Sequence, residues 1–106
     1  MKVILRKKAQ NSIAAITEYI DKQGYPDTAY KFSVRLEKFS ETLAVFPDKY
    51  SICRHPQFAK HNYHCAVFED NYIFVYKVVR QQPRKIRISP LAQLVIYNVI
   101  HGKRLK

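Results

Sequence analysis

Residues 26–47, PDTAYKFSVRLEKFSETLAVFP, place Ala29, Phe32, Leu36, Phe39, Leu43 and Phe46 at alternating steps of three and four. At that spacing all six side chains share one stripe of an α-helix, and a stripe so apolar predicts a buried seam rather than a cofactor site. Pro26 suits the first turn, where a missing N–H has no helical partner to lose, and Pro47 stops the helix.

Upstream of this seam, Ala9, Ile13, Ile16 and Ile20 recur at steps of four, three and four, with Glu18, Asp21 and Lys22 mostly on the opposite side. This is a second amphipathic helix. It should end near Gln23, because Gly24 is the natural residue for a left-handed cap. A connection this short makes the two helices an antiparallel hairpin. Before them, Val3-Ile4-Leu5 between basic residues reads as a short strand buried on both faces.

Downstream of Pro47 the period changes to that of strands. Tyr63 to Phe68 alternates imperfectly, Glu69-Asp70-Asn71 has turn chemistry, and Tyr72 to Val79 is rich in aromatic and β-branched residues. Leu94 to Ile100 is nearly continuously apolar, as a central strand covered on both faces would be. The predicted fold class is α+β: a small, mainly antiparallel sheet with an N-terminal strand and an antiparallel two-helix hairpin packed on one face. The segment 81–92, QQPRKIRISPLA, fits least well. Ile86 and Ile88 alternate there with Lys85, Arg87 and Ser89 between Pro83 and Pro90, which suggests a protruding β-arm or a short edge strand.

At 106 residues the chain is expected to be a single domain, 1–106, able to bury one core of its own. Its formal net charge is +11, and the distribution is uneven. No acidic residue follows Asp70, whereas that stretch carries Lys77, Arg80, Arg84, Lys85, Arg87, Lys103, Arg104 and Lys106. Such a cationic half points to a polyanionic partner, either nucleic acid or an acidic protein segment. Apolar runs fall far short of the roughly 20 residues of a membrane span, and the N-terminal MKVILRKK lacks the apolar region of a signal peptide. A cytoplasmic location with no membrane partner is therefore expected, and with it a reduced Cys53 and Cys65 serving as small apolar side chains.

Cys53, His55, His61, His64 and Cys65 gather zinc-type ligands, but at no standard spacing. A strand over 63–68 sends His64 and Cys65 to opposite faces. No metal and no cofactor is expected. His61 and His64 remain as possible polar contacts to RNA or a protein partner. With only Gly24 and Gly102 there is no glycine-rich phosphate loop.

The order of strand and helical hairpin, Phe46-Pro47 after the second helix, the paired strands ending in NYIFVYKVV (71–79) and the final LVIYNVIHGKRL (94–105) together resemble the RelE/ParE superfamily of toxins from type II toxin–antitoxin systems. The resemblance spans nearly the whole chain except 81–92, where relatives usually have a tight turn. It implies a small basic protein that arrests growth when free and is silenced by a cognate antitoxin, typically an acidic chain with an amphipathic helix. It also implies one of two targets: DNA gyrase, as in ParE-like members, or mRNA on the ribosome, as in RelE-like members. Fold alone does not choose between them.

Cleaving RNA with a neighbouring 2′-hydroxyl needs a base, an acid and cations around a crowded, negatively charged phosphorane. In RelE-like members lysines and arginines of the sheet face and C-terminal end are implied in these roles. By the resemblance Arg104 falls on one of those arginines and His64 on a lysine position. Ala66 replaces a second lysine, and Ile73 replaces the arginine that follows the tyrosine at Tyr72. Neither side chain stabilises a phosphorane, which weakens the nuclease reading. The catalytic candidates that remain are His101, Lys103 and Arg104 with His64, with Tyr97 and Arg80 as possible neighbours. Lys77, Arg80, Arg84, Lys85 and Arg87 are candidates for nucleic-acid or target binding. Three functions stay open: a toxin that acts by binding a target such as gyrase, a ribosome-dependent endoribonuclease, and a basic nucleic-acid-binding module without toxicity.

Overall fold

The computed structural model describes residues 1–81 and 91–102, with Gln81 and Leu91 described through their backbone alone. A strand β1 (Lys2–Leu5) leads into helices α1 (Lys7–Lys22) and α2 (Pro26–Val45), followed by a short helix α3 (Pro56–Ala59) and strands β2 (His64–Phe68), β3 (Tyr72–Gln81) and β4 (Leu91–His101). The four strands form one sheet in the order β1-β4-β3-β2. β1 runs parallel to β4, and the other two pairings are antiparallel.

The hairpin forms where its punctuation predicts. Gln23 caps α1, Gly24 follows with φ 90°, and Pro26 opens the first turn of α2. Glu18 and Lys22 face solvent and pair across one turn at 2.9 Å. Ala9 of α1 and Phe32, Leu36 and Leu43 of α2 bury themselves against Ala66, Phe68, Phe74, Tyr76, Leu94, Ile96 and Val99 of the sheet. Phe39 joins this core at ring-centroid distances of 5.0 Å from both Phe68 and Phe74, an edge contact in the second case.

Phe46 departs from the expected seam. It is 67% exposed, because α2 ends at Val45 and the backbone leaves the helical region at Phe46. Periodicity alone extended the stripe one step too far. Tyr50, beyond the Pro47 turn, supplies the missing aromatic contact and packs 6.1 Å from Phe39. β1 also differs from expectation: it is an edge strand with half-buried residues, since only β4 flanks it.

β4 explains the nearly continuous apolar run. The β3–β4 register shifts between Val75, opposite Asn98, and Tyr76, opposite Ile96, so Tyr97 is an extra residue in the ladder. Such a bulge resets the alternation of side chains. Leu94, Ile96 and Val99 consequently all face the helices, while Tyr97 and Ile100 join a second apolar cluster with Cys53, Phe58, Tyr63, Cys65, Ile73 and Val75. The segment between α2 and β2 thus covers the sheet face that the helices leave open.

The cysteines overturn the expectation of two reduced thiols. Cys53 and Cys65 are joined by a disulfide, with Cα atoms 4.9 Å apart. The fold brings them together: Cys53 N–H donates to Tyr63 O at 2.9 Å, Cys65 N–H donates to Ser51 O at 3.2 Å, and Ile52 bridges antiparallel to His64. The spacing of the two cysteines, 12 apart in sequence, gives no hint of this pairing. The arm expected within 81–92 falls mainly outside the described residues, but the β3–β4 ladder continues to Arg80↔Ala92 and Gln81↔Leu91. The two ends of that segment therefore belong to the sheet.

Candidate functional site

β3 is longer than β2, and this difference creates the first candidate site. β2 pairs with Tyr72 to Tyr76 only, so Lys77 to Gln81 have β4 on one side and, among the described residues, no strand on the other. Beside this projecting edge lies a groove of about 540 Å³ lined by Lys77 and Arg80 of β3 together with Ile52, His61, Asn62 and His64. Asp48 contributes one acidic group. Lys77 holds its ammonium 4.8 Å from the centre of the Tyr63 ring, a cation–π contact that fixes its direction. Arg80 is exposed.

His64 is held firmly at this groove. Its ring stacks on Tyr76 with centroids 5.3 Å apart, and its Nδ1 lies 2.6 Å from Tyr50 O. A carbonyl only accepts, so Nδ1 carries the proton and Nε2 is the atom left to exchange one. Tyr76 in turn donates its O–H to Pro47 O at 2.7 Å. Burial, with Tyr50 and Asp48 nearby, pushes the Tyr76 hydroxyl up to about 12. In the unfolded chain a tyrosine loses its proton near 10. Between these values the unfolded state binds fewer protons than the folded one, so stability falls as pH rises through that window, by about 1.4 kcal/mol per unit at most. Urea melts from pH 9 to 12 check this, since Tyr76→Phe is expected to flatten that part of the profile.

His101 occupies a different place. It lies at the end of β4 opposite Tyr72, whose ring it meets edge-on at 5.4 Å. It lines a groove of about 870 Å³ between α1 and β4, together with Lys8, Ser12, Tyr19, Tyr72 and Asn98. Asn98 Oδ1 accepts from Ser12 Oγ at 2.6 Å and from Val99 N–H at 2.9 Å, which ties α1 to the bulged part of β4. Gly102 N–H donates to Asn71 O at 2.6 Å and closes this end of the sheet.

The sequence candidates are therefore split. His64 is opposite Tyr76 and His101 opposite Tyr72, on two strands separated by β3. At strand rise and spacing these positions are about 16 Å apart. Arg80 pairs with Ala92, about 30 Å along β4 from His101. Tyr97 faces the outer cluster, 5.0 Å from Tyr63 and within a cation–π contact of Lys8 at 5.2 Å. Lys77, Arg80 and His64 do come together, joined by His61, which the sequence suggested only as a polar contact. Lys103, Arg104, Arg84, Lys85 and Arg87 lie outside the described residues. Ala66 is fully buried in the helix-side core and Ile73 packs in the second cluster. Neither position places a charge on an open surface.

Among the described residues no group of three or more His, Cys, Asp or Glu side chains gathers as a metal-ligand set, and no helix is long and apolar enough to cross a membrane. No curated protein matches the sequence. The family model described as ParE toxin of type II toxin–antitoxin system, parDE, matches residues 3–105. With that match over almost its full length, and with a helical hairpin on a four-stranded sheet, the chain belongs to the RelE/ParE family of type II toxin–antitoxin toxins.

Proposed function

We propose that this toxin arrests growth in the cytoplasm by binding a cellular target of the DNA gyrase type, through the cationic groove beside β3, and not by cutting RNA. The observation that carries this reading is the separation of the histidines. A general base and a general acid for one phosphodiester must both reach the same few atoms. His64 and His101 stand about 16 Å apart with a strand between them, too far to act on one phosphate. The positions that carry cations in RNA-cleaving relatives hold Ala66 and Ile73 in apolar clusters. By contrast, Lys77 and Arg80 line a groove along the edge of β3 that, among the described residues, no strand covers, where shape, charge and backbone groups together suit a protein or protein–DNA surface.

The type II family implies an antitoxin partner, and charge complementarity to a +11 chain favours an acidic one. Induced expression followed by a plasmid-supercoiling assay and mapping of mRNA ends tests the target. Linearised or relaxed plasmid with intact mRNA is expected. In-frame mRNA cuts that disappear in Arg104→Ala, with the plasmid unaffected, would replace this reading with the ribosome-dependent nuclease.

A further inference from the structure

The disulfide ties the segment that carries His61 and Asn62 to β2, behind the groove. Cys53 opens the lobe that runs through α3 to Tyr63, and Cys65 sits in β2 next to His64. Apart from this bond the lobe is held by two buried side chains, by the Lys77 contact with Tyr63 and by the Cys53 N–H to Tyr63 O bond. α3 has four residues, far too few to be stable alone. The lobe's apolar anchors are Phe58 and Tyr63, which pack on Tyr97 at 6.3 Å and 5.0 Å. Arg54, Gln57, Lys60, His61 and Asn62 are exposed.

We propose that the Cys53–Cys65 bond is a redox-operated clamp: when a dithiol reductant opens it, the lobe lifts from the outer face of the sheet and withdraws His61 and Asn62 from the groove they line with Lys77 and Arg80. Its bearing on target binding rests on the reading of the groove given above. The lobe movement itself does not.

The exposure of the two cysteines sets the direction of the chemistry. Cys53 is 4% exposed, whereas Cys65 is half-buried. A reductant thiolate reaches Sγ of Cys65, forms a mixed disulfide there, and Cys53 leaves as thiolate and takes up a proton. The second thiol of the reductant then displaces Cys65, which is also protonated. Two electrons and two protons pass from the dithiol to the protein, and the reductant leaves as its own disulfide.

Cross-linking two positions 12 apart removes most of the freedom of the open lobe. The population of open lobe is expected to change by a factor on the order of 100 between the two redox states. The closed, oxidised form keeps the groove intact. The reduced form keeps its main core, because the helix-side cluster contains neither cysteine.

Amide hydrogen exchange of the whole chain, with and without dithiothreitol, is the test. The amides of Cys53, Asn62 and Tyr63, which donate within the lobe or across its base, are expected to exchange on the order of 100-fold faster after reduction. Those of Leu36 and Phe74 are expected to stay unchanged. The double variant Cys53→Ser with Cys65→Ser should show the fast lobe exchange in both conditions. Lobe amides that remain protected once thiol titration finds two thiols per chain would overturn the clamp. So would a simultaneous loss of protection at Leu36 and Phe74, or two titratable thiols without reductant under air. Exchange is read without any target, so the supercoiling assay and this experiment fail independently.

Discussion

Leu36→Ala is expected to lower the free energy of unfolding by about 2 to 5 kcal/mol, the range seen when a buried leucine is truncated. Leu36 sits midway along α2, is 2% exposed, and belongs to the cluster that joins both helices to the sheet. Its removal takes away apolar area and leaves a void that the two-layer packing closes only in part. For a domain whose total stability is about 5 to 15 kcal/mol, such a loss moves the urea midpoint a long way. A loss below about 0.5 kcal/mol would mean that α2 does not anchor the fold.

The second large effect is functional. Lys77→Glu combined with Arg80→Glu is expected to weaken binding to a polyanionic target by about 10- to 100-fold and to lower the salt dependence by about two units of slope. Growth arrest on induction should be lost. Folding should change little, because exposed charges contribute roughly 0 to 1 kcal/mol and neither cation has an acidic partner among the described ion pairs. The contact of Lys77 with Tyr63 adds a loss of about 0.5 to 1 kcal/mol, which a thermal melt will register. Full toxicity in this variant, at wild-type protein level, would take the groove out of the mechanism.

The helical hairpin was open to reading because its signals are local. Gly24, Pro26 and the steps of three and four need only the neighbours in sequence, and each falls where the structure puts it. Phe46 shows the limit of that logic: a period carries no information on where the backbone leaves the helix, and Pro47 forces it out one residue early. α3 was missed although His55-Pro56 is a start signal, with His55 Nδ1 accepting from Gln57 N–H at 3.3 Å. At four residues it has no periodicity to detect.

The site was less legible, for a different reason. Lys77, Arg80 and His64 were named from charge and type, but their meeting depends on β2 being shorter than β3. His101 and His64 looked like members of one set, and only the pairing register shows that β3 keeps them apart. The bulge at Tyr97 and the Cys53–Cys65 bond are likewise products of pairing between distant segments. Neither pairing has a local signature: the bulge depends on the register with β3, and the disulfide on the bridge between Ile52 and His64.

The parallel pairing of β1 with β4 has a consequence for how the chain acquires its shape. Lys2 pairs with Gln93 and Leu5 with Ile96, so the first strand must wait for the last. Closing a loop of about 90 residues is a late and slow event compared with forming a helical hairpin, because the entropy of closure is lost before any ladder bond is gained. On the ribosome, α1 and α2 emerge first with Ala9, Phe32, Leu36 and Leu43 uncovered, and they find their floor only when β3 and β4 have left the exit tunnel. The groove beside β3 therefore forms only after β4 has been made. Until then β1 has no neighbour to pair with, and the two helices carry an apolar face that another chain can cover.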